Sequence, residues 1–484
     1  MRIAVETPLK GFQNDIADVI RLFFGEGSAV EPGENADAQL IHEHEETEGR
    51  WRERFVLYIE GRECEAQREG ECVPEGLEGK RRLKRLIKQT CYDLLKTYTG
   101  RKPAWGSLTG IRPTRLYYQL MDRGFSAEET EQKLMETFDI SQEKIGLLSE
   151  IVRTQRPLLQ ENGKTCDLYI GIPFCVTRCS YCSFSSGEIG DGHLVEPYLS
   201  ALFHEMKETA ALIRHLGYQV SAAYIGGGTP TSLSTPQLHR LLSYVEECFG
   251  HFKEWTLEAG RPDTLDREKL QMIRSHPVSR ISINPQTMND ETLNLIGRKH
   301  SAEDIVRAYQ MARDVGFDDI NMDIIAALPG ENLEMFRRTL SWIRKLKPES
   351  LTVHTLAIKR SSALHEQRYI QDAKVAGEMV REARACAKEL GMSAYYLYRQ
   401  KYMADNLENV GYAVPGRACR YNIDNMEETT SVFAMGAGAI SKYVQKREEK
   451  IVRAPNISNI GQYIQRVEEM CRRKETAFSL TKEE

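Results

Sequence analysis

Nowhere in its 484 residues does the chain hold the roughly 18 uninterrupted apolar residues that a membrane-spanning helix requires. Its start, "MRIAVETPLKGFQNDIADVI", lacks a charged stretch followed by an apolar run, so no secretory leader is expected and the protein reads as cytoplasmic. A surplus of one charge is missing too: 65 lysines and arginines stand against 70 acids, a formal net charge of -5. That balance excludes a global polyanion-binding surface and leaves only local basic sites. No internal repeat and no low-complexity tract occurs. The composition that remains, 41% hydrophobic over this length, suits two or three globular domains.

Cysteine is present in an odd number, 11, which fits a disulfide framework poorly in a compartment that keeps thiols reduced. Cys64, Cys72, Cys91, Cys248, Cys386 and Cys471 stand apart and read as small buried hydrophobes or incidental thiols. Cys175, Cys179 and Cys182, by contrast, crowd into "YIGIPFCVTRCSYCSF".

Residues 1–78 read as a small α/β domain, with strand-like "MRIAV" and "RFVLYIEG" around a helical "QNDIADVIRLFF". Helical periodicity then holds over 79–159, broken by the Pro- and Gly-bearing "GRKPAWGSLTGIRPTRL". "QENGKT" (160–165) has the composition of a linker. Over 160–390 short β-rich runs alternate with helical patterns: "LYIGI" (168–172), "AAYIG" (222–226), "WTLEA" (255–259), "RISIN" (280–284), "INMDII" (320–325) and "LTVHTL" (351–356). Strict alternation predicts a parallel sheet, and six units without an evident switch point predict an α/β fold of the (βα)6 partial TIM barrel type. Residues 391–484 are expected to form a C-terminal α+β extension covering the substrate.

The unusual residues gather just past these strands. After the first come the three cysteines; after the second, "GGGTPT"; at the third, Glu258; after the fourth, Gln286; within the fifth, Asp323. Strand C-termini of parallel barrels share one mouth, so these segments are expected to converge. Three thiols in one short loop can hold a soft metal centre. A structural zinc would need a fourth Cys or His nearby, and Cys166 precedes the first strand, at the opposite end. An iron–sulfur cluster held by three cysteines leaves one iron open for chemistry.

The "CxxxCxxC" loop followed by "GGGTP" resembles the radical S-adenosylmethionine (SAM) superfamily. "YIGIPFCVTRCSYCSF", "IGGGTPTSL", "RISINPQTMNDETLNLIGRKHS" and "NMDIIAALPGEN" resemble the oxygen-independent coproporphyrinogen III oxidase family. With "LTGIRPTRL" and "NVGYAVPGRACRYNID" the chain is most similar to the HemZ-type coproporphyrinogen dehydrogenases of that family. The resemblance implies a [4Fe-4S] cluster on Cys175, Cys179 and Cys182, its open iron taking the amino and carboxylate groups of SAM. It implies Tyr169 near the cluster, Gly228 and Thr229 as the glycine-rich cofactor contact, Glu258, Gln286, Arg298 and Asp323 as polar cofactor contacts, and Ala357 as a backbone contact near the adenine.

The implied activity is oxidative decarboxylation of coproporphyrinogen III to protoporphyrinogen IX without oxygen, driven by a 5′-deoxyadenosyl radical and served by an electron donor such as flavodoxin or ferredoxin. Phe184 stands where the family often has a fourth cysteine, and Gly171 where it often has a histidine. Relatives include haem chaperones, whose histidine–asparagine motif is replaced here by Tyr421 and Asn422 with no tryptophan nearby. Cys419 is open as an axial haem thiolate or as a buried structural thiol. The basic "GKRRLKRLIK" reads as a solvated helix face, so no nucleic-acid partner is expected. For the substrate's four propionates the expected cations are Arg399, Lys401, Arg417 and Arg420, beside Tyr396 and Tyr398, with Arg112 and Arg115 next.

Overall fold

A computed structural model describes residues 1–72, 76–110, 112–159, 164–184, 186–358, 362–366, 373–400, 403, 406–445 and 450–479. The chain divides into two compact units: Met1–Ser149 with Arg399–Leu407, and Glu150–Tyr398 with Glu408–Glu484. No helix among the described residues is long and apolar enough to cross a membrane.

In the first unit a five-stranded sheet runs, in spatial order, Ala29–Val30, Ile3–Glu6, Ala38–Thr47, Arg50–Ile59 and Arg62–Glu71. Helices Gln13–Phe24 and Leu77–Thr99 bury Ile16, Ile20, Ile87 and Leu95 against Leu40, Phe55 and Leu57. The sequence reading expected only the two most apolar of these strands. The outer face explains the difference: Arg52 pairs with Glu45 and Glu69, and Arg54 with Glu43 and Glu65, so charges dilute the apolar period of the strands. Three helices follow, Pro113–Asp122, Ala127–Phe138 and Gln142–Gln155; the second starts at a Ser126–Glu129 capping box.

The second unit contains all six expected barrel strands: Thr165–Ile172, Gln219–Gly227, Glu254–Glu258, Arg280–Ser282, Ile320–Ala326 and Ser350–Thr355. They are parallel and neighbour one another in chain order, so the fold is an α/β partial barrel of six βα units with a C-terminal α+β extension. One further parallel strand had no signal in the sequence. Ser431–Met435 pairs in parallel with the first barrel strand, so seven parallel strands stand side by side. Antiparallel strands extend both ends of the sheet: Asn409–Ala413 and Ser393–Tyr398 beyond the sixth barrel strand, Ile440–Gln445 and Lys450–Pro455 beyond Ser431–Met435.

Register sorts the side chains. Tyr169 pairs with Tyr224, Tyr224 with Thr256, Thr256 with Arg280, Glu258 with Ser282, Ser282 with Asn321, and Asp323 with Thr352. Side chains alternate along a strand, so Tyr169, Tyr224, Glu258, Asp323 and His354 share one face. Leu168, Ile170, Ile225, Leu257, Ile281, Ile324 and Val353 take the other and are fully or almost fully buried. The apolar face carries helices such as Val195–His215, Thr235–Phe249 and Leu333–Leu346, which return the chain between strands. The polar face lines the barrel interior.

Candidate active site

The first barrel strand ends at Ile172, and the cysteine loop follows it. From the end of the second strand, Gly228 donates its N–H to Ile172 O at 2.8 Å and Thr229 donates to Phe174 O at 2.7 Å. The Thr229 hydroxyl reaches Cys175 Sγ at 3.6 Å. Beyond the fourth strand, Ile296 O accepts from Ser180 N–H at 3.1 Å and Gly297 O accepts from the Thr177 hydroxyl at 3.0 Å. Gly297 takes φ +81°, and a Cβ there would press on Arg178 O at 3.2 Å. After the third strand, Arg261 donates to Thr177 O at 3.0 Å and to its Oγ1 at 2.8 Å.

The thiols feel one another's charge. Burial first, and then these neighbours, push Cys175 and Cys182 above the ordinary thiol range. Three thiols on one short loop are the soft donor set that a [4Fe-4S] centre takes, so the residues present fit that group.

Below the loop lies a polar floor. Tyr224 OH donates to Glu258 Oε1 at 2.6 Å. Burial, only partly opposed by that bond and reinforced by the charge of Asp323, lifts Glu258 to about 7. Burial also acts on Asp323, but His354, Asn321 and Thr352 outweigh it and hold this carboxyl below its usual range. Asn321 Nδ2 donates to Asp323 Oδ1 at 2.7 Å, and His354 Nε2 lies 3.8 Å from Oδ2. Two neighbouring carboxyls are thus driven apart, one to a standing anion and one to near-neutral titration.

Gln286 adopts φ +64°, donates its N–H to Asp323 O at 2.9 Å and accepts from Ile325 N–H at 2.9 Å, carrying the line of the fourth strand onward. Arg298, 5% exposed, donates from NH1 to Asn284 O at 2.6 Å and from NH2 to Tyr181 OH at 3.4 Å, beside the Cys179 thiol. Gln286 Oε1, Asn284 Oδ1 and Arg298 Nε are buried without a hydrogen-bond partner. Such orphaned atoms are costly unless a ligand satisfies them, and they match the amino, carboxylate and hydroxyl groups of SAM in kind. Ala357 follows the sixth barrel strand, two residues past Thr355.

The sequence profile of the radical SAM superfamily matches residues 169–343. Over 80% of its length the chain is 40% identical to the oxygen-independent coproporphyrinogen-III oxidase-like protein HemZ of Bacillus subtilis, 79% of which is covered. The chain belongs to the oxygen-independent coproporphyrinogen III oxidase family of radical SAM proteins. It is also 34% identical to the heme chaperone HemW of B. subtilis, over 41% of the chain and 52% of HemW. Among solved structures, coproporphyrinogen III oxidase (HemN) of Escherichia coli superposes with a TM-score of 0.52 at 26% identity, covering 65% of this chain and 72% of that one. Radical SAM proteins use a [4Fe-4S] cluster and SAM, and these are the cofactors of this family member.

Several site residues of this radical SAM protein escaped the sequence reading. Tyr224 was visible in principle, since a period of two puts it on the face of Gly226. Arg261 and His354 carry no local signal, because a solvated charge has the same spelling. Tyr421 arrives from the helix Arg420–Glu427 and stacks on Tyr224 at 4.8 Å and on Tyr169 at 6.4 Å, flooring the barrel interior. Glu254, at the start of the third strand, accepts the N–H groups of Arg420 at 2.8 Å and Tyr421 at 3.1 Å and so seats that helix.

The expected propionate cations lie as follows. Arg399 is 2% exposed; it donates to Leu108 O at 2.7 Å and Gly110 O at 3.2 Å, with its guanidinium 5.1 Å from the Trp105 ring centre. It ties together backbone of the first unit. Arg417 pairs with Asp318 at 3.1 Å and Asp319 at 3.7 Å, just ahead of the fifth strand. Arg420 pairs with Asp424 at 2.8 Å. Both stand at the N-terminal ends of the barrel strands, opposite the cysteine loop. Lys401 lies outside the described residues.

Proposed function

We propose that the chain carries out the oxygen-independent oxidative decarboxylation of coproporphyrinogen III to protoporphyrinogen IX, in the cytoplasm and with a small electron-donor protein such as flavodoxin or ferredoxin. The observation that carries this reading is the relationship to the oxidase-like HemZ, which runs well beyond the barrel into the flanking regions. Cys175, Cys179 and Cys182 would hold the cluster. Tyr169, Gly228, Thr229, Glu258, Gln286, Arg298, Asp323 and Ala357 would hold SAM. When bound, the two cofactors supply a 5′-deoxyadenosyl radical able to take hydrogen from a propionate side chain.

The chain's own groups do the positioning. Arg298 has the buried guanidinium that a carboxylate partner calls for. Asp323 is a standing anion suited to a cationic sulfonium or to ribose hydroxyls. Glu258, titrating near neutrality and backed by Tyr224, can accept or donate a hydrogen bond at the same ligand. The tyrosine floor seals the interior from the N-terminal end and keeps water from the reacting groups.

A haem chaperone reading draws support from the HemW similarity. The Cys419 thiol speaks against its haem-thiolate form: it is 2% exposed and lies 3.3 Å from Glu254 Oε1, while burial and that carboxylate push it far above the ordinary thiol range. The deciding experiment is anaerobic reconstitution followed by mass spectrometry of coproporphyrinogen with SAM and reductant. Two losses of carbon dioxide are expected. Deoxyadenosine without porphyrin change would refute the substrate, and haem retained through purification without decarboxylation would establish the chaperone.

A further inference from the structure

Arg261 is 3% exposed and stands in the loop that follows the third barrel strand. Its guanidinium is divided between two partners. NH1 donates to both Thr177 O and Thr177 Oγ1, while Nε and NH2 grip Asp263 in a bidentate pair at 3.0 and 2.7 Å. Thr177 lies between Cys175 and Cys179, and its hydroxyl passes the contact on to Gly297 O at 3.0 Å. One buried side chain therefore joins the third-strand loop, the cysteine loop and the segment after the fourth strand. His300, with a ring nitrogen 3.6 Å from Asp263, closes the far side of the pair.

We propose that Arg261 is a positioning residue for the iron–sulfur cluster: it fixes the cysteine loop between the first two ligands, and with Asp263 it sets the electrostatic field that tunes the cluster's reduction potential. The proposal rests on the cluster assignment and not on the tetrapyrrole substrate. Residues that orient metal ligands typically govern metal retention by about 10- to 100-fold, and net charge and hydrogen bonding near an iron–sulfur cluster set its potential. Arg261 and Asp263 pull in opposite directions. Removing the cation leaves the partly exposed Asp263 carboxylate without its partner and favours the oxidised cluster; removing the carboxylate leaves the buried Arg261 cation uncompensated and favours the reduced one.

The test uses full-length protein, reconstituted anaerobically and normalised to iron, with the midpoint potential read by EPR-monitored redox titration and cluster loss read as bleaching under a chelator. Arg261→Met is expected to shift the potential down and to speed cluster loss about tenfold. Asp263→Asn is expected to shift the potential up. Arg261→Lys keeps the charge but lacks the planar fork, so its potential should stay near wild type while loss accelerates. Thr177→Val retains the Arg261–Asp263 pair and removes only the hydroxyl bonds, giving faster loss; it decides the positioning claim if Arg261→Met fails to fold. A merely structural role would not move the potentials of the Arg261 and Asp263 variants in opposite directions. Wild-type potential in Arg261→Met and Asp263→Asn, or wild-type retention in Thr177→Val, overturns the proposal. A wild-type chain that takes up no iron overturns the cluster assignment itself.

Discussion

Gly228 leaves no room for a side chain beside Cys175: a Cβ on Gly228 would stand 3.0 Å from the Cys175 sulfur and 2.6 Å from the carbonyl oxygen of Phe174. The nearer obstacle is backbone and cannot swing aside. Gly228→Ala should therefore displace the cysteine loop at a strain of about 1–3 kcal/mol. Iron and sulfide content per chain is expected to fall well below wild type after identical reconstitution.

The three cysteines and Asp323 separate two kinds of loss. Cys175→Ala, Cys179→Ala and Cys182→Ala should each abolish iron–sulfur absorption and deoxyadenosine formation, whereas Cys248→Ala, which removes a thiol from the Thr235–Phe249 helix, should leave both near wild type. Asp323→Ala should keep full iron and weaken SAM binding, read by equilibrium dialysis of the reconstituted protein. Normal iron in all three cysteine variants would refute the ligand assignment.

Glu258 supplies a pH signature. Its carboxyl titrates at about 7 in the fold and at 4.5 as a free side chain, because burial disfavours the charge. The folded chain therefore holds a proton that the unfolded chain releases. The stability linked to it is fully present below pH 4.5 and lost as pH rises through about 7. Glu258→Gln removes that dependence, and the Tyr224 hydroxyl can reverse to accept from the amide. Denaturant unfolding of cluster-free protein should show the variant about 3 kcal/mol more stable relative to wild type at pH 8 than at pH 4.5. A pH-independent difference would contradict the assigned burial.

Tyr421 is the third ring of a stack with Tyr169 and Tyr224. Tyr421→Ala should cost about 3–5 kcal/mol by opening a cavity in the barrel interior. With Tyr224 unsupported, Glu258 loses its fixed partner, so SAM affinity should fall even in protein that retains full iron.

The barrel was legible because each strand carries its own apolar run between helical periods, a local property. The positions of the cysteine loop, Gly228, Glu258 and Asp323 followed from the rule that strand C-termini share a mouth. Ser431–Met435 escaped because its partner, Thr165–Ile172, lies far away in sequence and its fully buried run "SVFAM" has no two-fold alternation to announce it. The surroundings of Arg399 were hidden for a related reason. In "YYLYRQKY" a cation beside aromatics is spelled alike whether it meets a ligand or, as here, backbone carbonyls and Trp105.

The strand Ser431–Met435 also imposes an order on biosynthesis. The strand that bears the cysteine loop pairs on one side with a segment translated soon after it and on the other with one made near the end of the chain. Until residue 435 leaves the ribosome, one edge of that strand has no partner, the kind of edge that invites wrong pairings. Iron and sulfide delivered before then would meet a loop hung on a half-built sheet. The late strand Ser431–Met435 is thus what closes the second edge of the strand from which the cysteine loop hangs.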